Sequence, residues 1–387
     1  METLDIVFYT DSFIPAVDGV VTSILNFKHE LERRGHNVYV FAAGDQKTRS
    51  AVNGERNVFV MRGMKFRKYP QYNLPIFPMA SSLKVRRIRP DILHAHTPFG
   101  MGITALLMSR INRTPVVGTF HTMFTDRRVI QEYVVSNRAA SKMLAKYSWA
   151  YAKYFYTRCD GVIAPSRAIE KILTGKNIDQ LHMVPNSVDL DRYNRKVDGS
   201  RLRKRLQAGT NDKVVLYVGR MSKEKDLETL IKAAAMLKNE KVRFVFAGAG
   251  PALDHYRALA SRYRLDGKAN FVGFVNEADL PRYYAACDLF CTPSTFETQG
   301  LVAIEAMACG KPVVGAAKLA LNDLIRNGRN GEKFRPGDSR ACAGKIDKVI
   351  NSIASYKGMT DTAKGYSIGN TTDLLLKAYK EVIYDNS

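Results

Sequence analysis

Acidic residues are scarce in this sequence: 37 Asp and Glu face 59 Lys and Arg, giving 387 residues a formal net charge of +22. Cysteine is scarce as well. The five present, Cys159, Cys287, Cys291, Cys309 and Cys342, are odd in number and form no CxxC pair and no cluster with histidine at metal-ligand spacing. That excludes a disulfide framework and a zinc ribbon, and the thiols are expected to be buried and reduced. No stretch reaches the roughly 18 to 20 consecutive apolar residues that crossing a bilayer requires. There is no solenoid repeat and no low-complexity tract. Met1 to Tyr9 include Glu2 and Asp5 and no basic cluster, so a cytoplasmic protein is the expectation.

What is present is ordinary globular composition, 45% apolar, in a chain longer than one hydrophobic core usually holds, so two domains are expected. The charge is unevenly spread. Between Lys47 and Arg158 there are 20 Lys and Arg against only Glu55, Asp91, Asp126 and Glu132. Such a field suits nucleic acid, an anionic membrane leaflet or a phosphorylated substrate, and charge alone does not choose among them.

Short apolar runs alternate with amphipathic helical patterns: Ile6 to Tyr9, Asn26 to Arg34, Val38 to Ala42, then Ile92 to Ala95, Val116 to Thr119 and Gly161 to Ala164. This βαβ rhythm predicts a doubly wound parallel sheet. It restarts after a polar stretch with VVLYVGR (214–220), FVFAGAG (244–250), NFVGFV (270–275), LFCTPS (289–294) and PVVGAA (312–317). Two α/β domains follow, 1–190 and 191–370. A closing amphipathic helix, about 371–387, presents Leu374, Leu375, Tyr379 and Val382 to a core.

Ligands of open parallel sheets sit beyond the carboxyl ends of the strands. After the first strand, Gly19 leads into a helix running to about Arg34, where a backbone N–H can approach a phosphate. An ordinary strand-to-helix turn would use the same glycine. In the second half, Gly219-Arg220 ends a strand and Lys225 follows five residues later; a fixed guanidinium and a flexible ammonium at one strand end suit a diphosphate. The densest constellation is Glu297-Thr298-Gln299-Gly300-Leu301, followed by Glu305. With a helix starting near Thr298, the two carboxylates stand about 12 Å apart, one able to reach sugar hydroxyls and the other a ribose. The unpaired first-turn N–H groups between them can hold phosphate oxygens.

The sequence resembles the retaining glycosyltransferases of family 4, which have the GT-B fold of two Rossmann-like domains facing a central cleft. TDSFIPAVDGVVTSI (10–24), HAHTPFG (94–100), GTFHT (118–122), VIAPS (162–166), VPNSVDL (184–190), GRMSKEKDLETLI (219–231), AGAGP (247–251) and ETQGLVAIEAMACGKPVVG (297–315) carry the resemblance. It implies that Glu297 holds the donor sugar, Glu305 the ribose, and Arg220 and Lys225 the diphosphate. It implies further that Gly19 lines the phosphates from the N-terminal domain, that His121 contacts the donor sugar near the reacting carbon, and that the last helix crosses back onto the N-terminal domain. His121, Glu297, Arg220 and Lys225 are then the catalytic set. The substrate is a nucleotide diphosphate sugar, UDP- or GDP-hexose, with no metal and no further cofactor. Where many members carry a Gly-Gly pair, this chain has Lys318-Leu319-Ala320-Leu321-Asn322-Asp323-Leu324, which leaves the choice of hexose and nucleotide open.

For the acceptor, Arg62-Gly63-Met64-Lys65-Phe66-Arg67-Lys68-Tyr69 interleaves cations with apolar side chains. A helix over Arg138 to Tyr156 gathers Arg138, Lys142, Lys146 and Lys153 on one side with Trp149 and Tyr156. Such stripes suit a membrane surface or plain solvent. TFHTMFTDRRVIQEY (119–133) resembles members that glycosylate diacylglycerol-type lipids, with Asp11 and Asp126 as further acceptor residues. The expectation is a lipid acceptor and peripheral attachment to the inner face of the cell membrane. The alternatives are a soluble phosphorylated acceptor or growing glycan, a sugar-nucleotide 2-epimerase, and a nucleic-acid-binding protein, the last disfavoured because no base-reading module appears.

Overall fold

A computed structural model describes residues 3–16, 18–65, 73–76 and 82–386. The chain forms two compact units, Met1–Ser187 with Ile368–Ser387, and Val188–Ser367. The boundaries fall three residues before the expected ones on both sides of the second unit.

The N-terminal unit is built on eight strands: β1 (Asp5–Thr10), β2 (Asn37–Gly44), β3 (Val58–Lys65), β4 (Asn73–Pro75), β5 (Ile92–Ala95), β6 (Val116–Thr119), β7 (Gly161–Ala164) and β8 (Leu181–Met183). Their order is β4-β3-β2-β1-β5-β6-β7-β8, parallel throughout except for the antiparallel β3–β4 edge. Ile6, Val7, Phe8 and Tyr9 are fully buried, as a strand covered on both faces by crossover helices must be. The strand order reverses between β1 and β5, which pair directly (Tyr9 opposite Ala95), so the segments leaving them, Asp11 onward and His96 onward, flank this unit's ligand crevice.

The second unit has β9 (Lys213–Val218), β10 (Val242–Ala247), β11 (Ala269–Gly273), β12 (Leu289–Thr292), β13 (Val313–Ala316) and β14 (Gly331–Phe334), in the order β11-β10-β9-β12-β13-β14, all parallel. Its reversal lies between β9 and β12, so Gly219-Arg220 and Pro293 to Glu297 leave the sheet side by side. The β9 and β10 exits approach closely: a Cβ on Gly248 would sit 1.9 Å from the Gly219 carbonyl oxygen, so only glycine fits there.

The last helix, Ile368–Asp385, belongs to the N-terminal unit. Its Leu375, Leu376, Ala378, Tyr379 and Val382 are buried in one cluster with Ile6, Phe8, Ile24, Phe27 and Val38. Arg34, just beyond the helix Gly19–Arg33, ties the two elements together by an ion pair to Asp373 and a 2.9 Å bond to the Gly369 carbonyl.

Candidate functional site

In the C-terminal unit the expected donor residues cluster beyond β9 and β12. Lys225 ends a short 3₁₀ turn, Lys223–Lys225, and its Nζ lies 2.7 Å from Glu297 Oε1, in the loop that follows β12. Both side chains are largely shielded, at 20% and 15% exposure. Burial alone would raise the Glu297 carboxyl, but the charge and hydrogen bond of Lys225, with a bond from Ser294, prevail and hold it below the usual carboxylate range. Glu297 is thus an ionised, fixed acceptor of hydrogen bonds.

The helix carrying Glu305 begins later than the sequence suggests. It spans Leu301–Ala308, and Thr298 and Gln299 lie in the turn before it. Gly300, in the left-handed region at φ 80°, reverses the chain there, so the first-turn amides begin at Leu301 and not at Thr298. Glu305 accepts a 2.7 Å bond from the Tyr284 hydroxyl. Burial pushes its carboxyl up to about 7, against the lowering effects of that bond and of the Arg192 charge. Arg220 stands two residues beyond β9 and its carbonyl accepts from the Tyr217 hydroxyl at 3.2 Å. The divergent segment Lys318 to Leu324 packs on this loop: Ala320 N–H donates to the Glu297 carbonyl at 3.3 Å, and Leu319 sits at φ 46°, a conformation costly for a leucine.

The N-terminal unit gathers a second group. Asp11, fully buried after β1, accepts from the Thr97 hydroxyl at 2.6 Å and the Met101 amide at 3.0 Å, and burial pushes its carboxyl up to about 7. Beside it lies an imidazole row. His94 and His96 stack with ring centroids 3.9 Å apart, and His96 Nδ1 is 3.1 Å from His121 Nε2. His94 is anchored at both nitrogens, by the Tyr379 hydroxyl and Thr119 Oγ1, each at 2.6 Å. A cavity of about 300 Å³ opens here. His96, Thr97 and His121 stand in its wall, which is otherwise mostly apolar: Leu74, Phe99, Phe124, Val129, Ile130, Val134 and Leu144.

The other expected residues are dispersed. Gly19 opens the helix Gly19–Arg33, whose cap is Asp18, accepting from the amides of Val20 and Val21. Asp126 caps the helix Arg127–Tyr133 and pairs with Arg128. Arg62 and Lys65 are exposed on β3, with Lys65 Nζ 3.1 Å from Asp45, while Arg67 and Lys68 lie outside the described residues. On the helix Arg138–Tyr156 the cations Arg138, Lys142, Lys146 and Lys153 are exposed, but the aromatics expected beside them are not free. Trp149 stacks on Phe120 at 6.1 Å, and Tyr156 is core, its hydroxyl bonded to the Thr119 carbonyl. The solvent face carries Met143, Tyr147 and Tyr154 instead, 55%, 63% and 51% exposed.

Two profiles cover most of the chain: "Glycosyltransferase Family 4" matches residues 17–192 and "Glycosyl transferases group 1" matches residues 198–365. The chain belongs to the family 4 glycosyltransferases. This glycosyltransferase is 29% identical over 370 residues to the alpha-monoglucosyldiacylglycerol synthase of Streptococcus pneumoniae, covering 93% of this chain and 81% of that one. It is also 29% identical over 386 residues to the sulfoquinovosyl transferase SQD2 of Arabidopsis thaliana, covering 95% and 72%. The crystal structure of Anabaena Alr3699/HepE in complex with UDP-glucose shares its GT-B fold, with TM-score 0.76 at 22% identity over 98% and 100% of the two chains. The enzyme is a hexosyltransferase.

Tyr284, His96 and Thr97 were not singled out in the sequence reading. Tyr284 reaches Glu305 from the preceding helix, Leu280–Ala286, and nothing in its own segment announces it. The other two lie in the HAHTPFG stretch immediately after β5, where the strand-end rule alone would have found them.

Burial pushes the His121 imidazole down to about 3, so the ring is neutral at neutral pH. A histidine with a depressed folded pKa contributes stability that is present above its unfolded value near 6.5 and is lost as pH falls toward 3. In urea titrations between those pH values, His121→Asn should therefore show a shallower loss than wild type, by up to roughly 1.4 kcal/mol per pH unit. Equal slopes would mean that His121 ionises freely in the folded protein.

Proposed function

We propose that the enzyme transfers a hexose from a nucleotide diphosphate sugar to the hydroxyl of a membrane lipid of diacylglycerol type, with retention of anomeric configuration and without a metal ion. The observation that carries the acceptor class is the cavity of about 300 Å³ beside His121, whose wall is mostly hydrocarbon with a few polar groups. A polyol would leave its hydroxyls unpaired against Phe124, Val129, Ile130 and Leu144. The similarity to the alpha-monoglucosyldiacylglycerol synthase of Streptococcus pneumoniae points the same way.

In the reaction, the bond from the anomeric carbon to the diphosphate oxygen breaks while the acceptor oxygen attacks from the same face. The departing phosphate oxygen takes the acceptor proton, so no protein nucleophile is required. Arg220, Lys225 and the amides at the start of Leu301–Ala308 neutralise the charge that develops on the leaving group. Glu297 accepts from sugar hydroxyls and Glu305 from the ribose.

The test is release of nucleotide diphosphate from UDP-, GDP- and ADP-hexoses, with and without vesicles containing diacylglycerol, followed by mass spectrometry and anomeric assignment of the product. Lipid-dependent release with one hexose added in the donor's configuration is expected. Release driven only by a soluble phosphorylated acceptor would overturn the lipid reading and make the exposed cations the acceptor's anchor.

Peripheral attachment is assigned to the helix Arg138–Tyr156, where Lys142, Lys146 and Lys153 flank the exposed Met143, Tyr147 and Tyr154. Each lysine near anionic lipid contributes about 1 kcal/mol. The triple variant Lys142→Ala/Lys146→Ala/Lys153→Ala should weaken binding to phosphatidylglycerol vesicles about 100-fold in co-sedimentation at low salt, with a smaller loss at high salt. Unchanged sedimentation would remove this helix from the membrane contact.

A further inference from the structure

We propose that His96 is a positioning residue for the acceptor: its Nε2 receives the hydroxyl that becomes glycosylated. The inference rests on the reading of the apolar cavity as the acceptor chamber, and it is carried by an atom with nowhere else to turn. His96 is 1% exposed, stands in the cavity wall, and its Nε2 has no hydrogen-bond partner among the described residues. Buried polar atoms are seldom left so, because an unmet group keeps its full desolvation cost.

The ring cannot swing away to find a partner. Its face is stacked on His94 at 3.9 Å, Phe8 meets it edge-on at 4.6 Å, and Nδ1 is held 3.1 Å from His121 Nε2. Burial, with the neighbouring histidines, depresses its pKa well below the ordinary value and keeps the imidazole neutral.

The tautomer argument then selects the ligand group. One proton lies between His96 Nδ1 and His121 Nε2. With that proton on His96, its Nε2 is a bare acceptor; with it on His121, the Nε2 of His96 carries a hydrogen and donates. A hydroxyl serves both states, whereas a carboxylate or phosphate serves only the second and would bring an unpaired charge against Phe124 and Ile130. The molecule that fits has one hydroxyl to offer His96 and is otherwise mostly hydrocarbon.

Asparagine and glutamine separate the two nitrogens, since an Asn amide falls near the position of Nδ1 and a Gln amide near that of Nε2. With 1,2-dioctanoylglycerol as acceptor, His96→Asn should lower kcat/KM for the acceptor at least about 10-fold, chiefly through KM. Donor KM and acceptor-independent donor hydrolysis should stay unchanged, and His96→Gln should lie within about threefold of wild type. A residue that only orients His121 would give the reverse order and slower donor hydrolysis, and that result overturns the proposal.

The wild-type enzyme offers an independent measurement. The deoxy analogue 1,2-dioctanoyloxypropane should compete with the acceptor at least about 10-fold more weakly than the acceptor itself binds; equal affinity would overturn the role of His96 even if both variants fail to fold. No transfer to dioctanoylglycerol and no inhibition by it would instead bring down the lipid reading, and this inference with it.

Discussion

Replacing Lys225 with alanine should lower kcat about 10²- to 10³-fold, the range seen when one charge-stabilising group is removed from a developing anion. The same change strands Glu297. Its carboxylate is held ionised by Lys225 at 2.7 Å, and with that partner gone it must protonate or stay charged in a shielded site. A stability loss of about 1–3 kcal/mol should accompany the rate loss, the lower end reflecting partial solvent access. The two effects come apart in Lys225→Ala/Glu297→Gln, which should regain most of the stability in thermal unfolding and none of the turnover. A Lys225→Ala enzyme within tenfold of wild-type kcat would remove Lys225 from the leaving-group machinery.

The second large effect is expected at Glu305. Glu305→Gln should raise donor KM about 10- to 100-fold at pH 8, the loss of a charge-assisted bond to a ribose hydroxyl, while acceptor KM stays put. The wild type should approach the same state by itself: with its carboxyl pushed up to about 7, Glu305 gains a proton as pH falls through neutrality, and donor KM should rise there. The sign for stability is opposite. A carboxyl with a raised folded pKa contributes most below its unfolded value of 4.5 and loses that contribution as pH climbs through 7. Glu305→Gln should therefore be more stable than wild type at pH 8, by about 1–3 kcal/mol, with the gain vanishing near pH 4.5. Donor KM flat across pH 6 to 8 in the wild type would mean that Glu305 is not what grips the nucleoside.

Strand periodicity and the strand-end rule made the central strands of both sheets readable in advance, whereas the outer strands Val58–Lys65, Asn73–Pro75, Leu181–Met183 and Gly331–Phe334 went unnoticed. Arg220 and Lys225 were readable at a strand end, but their grouping with Glu297 came from the family resemblance, because it depends on β9 and β12 pairing side by side. The start of the Glu305 helix was misjudged because Gly300 turns the chain through a left-handed residue, and a glycine in a polar run reads equally well as helix or turn. Trp149 and Tyr156 share a helical side with lysines, yet both turn inward to Phe120 and Thr119, because a wheel has no knowledge of what lies across from it. The chamber was beyond reach for a similar reason. It depends on Asp11 meeting Thr97 and His96 meeting His121 across β1, β5 and β6, an arrangement written in pairing and not in any one segment.

The helix Ile368–Asp385 sets an order of events during synthesis. The ribosome delivers the whole of Val188–Ser367 before it delivers Leu375, Tyr379 and Val382, which the first unit's core requires. The second unit is contiguous and is free to fold as it emerges, whereas the first waits with its sheet uncapped until the helix Ile368–Asp385 arrives. Tyr379 also holds His94, which stacks under His96. A chain cut after Ser367 would therefore keep the contiguous second unit whole and leave His94, and the imidazole row above it, without its support.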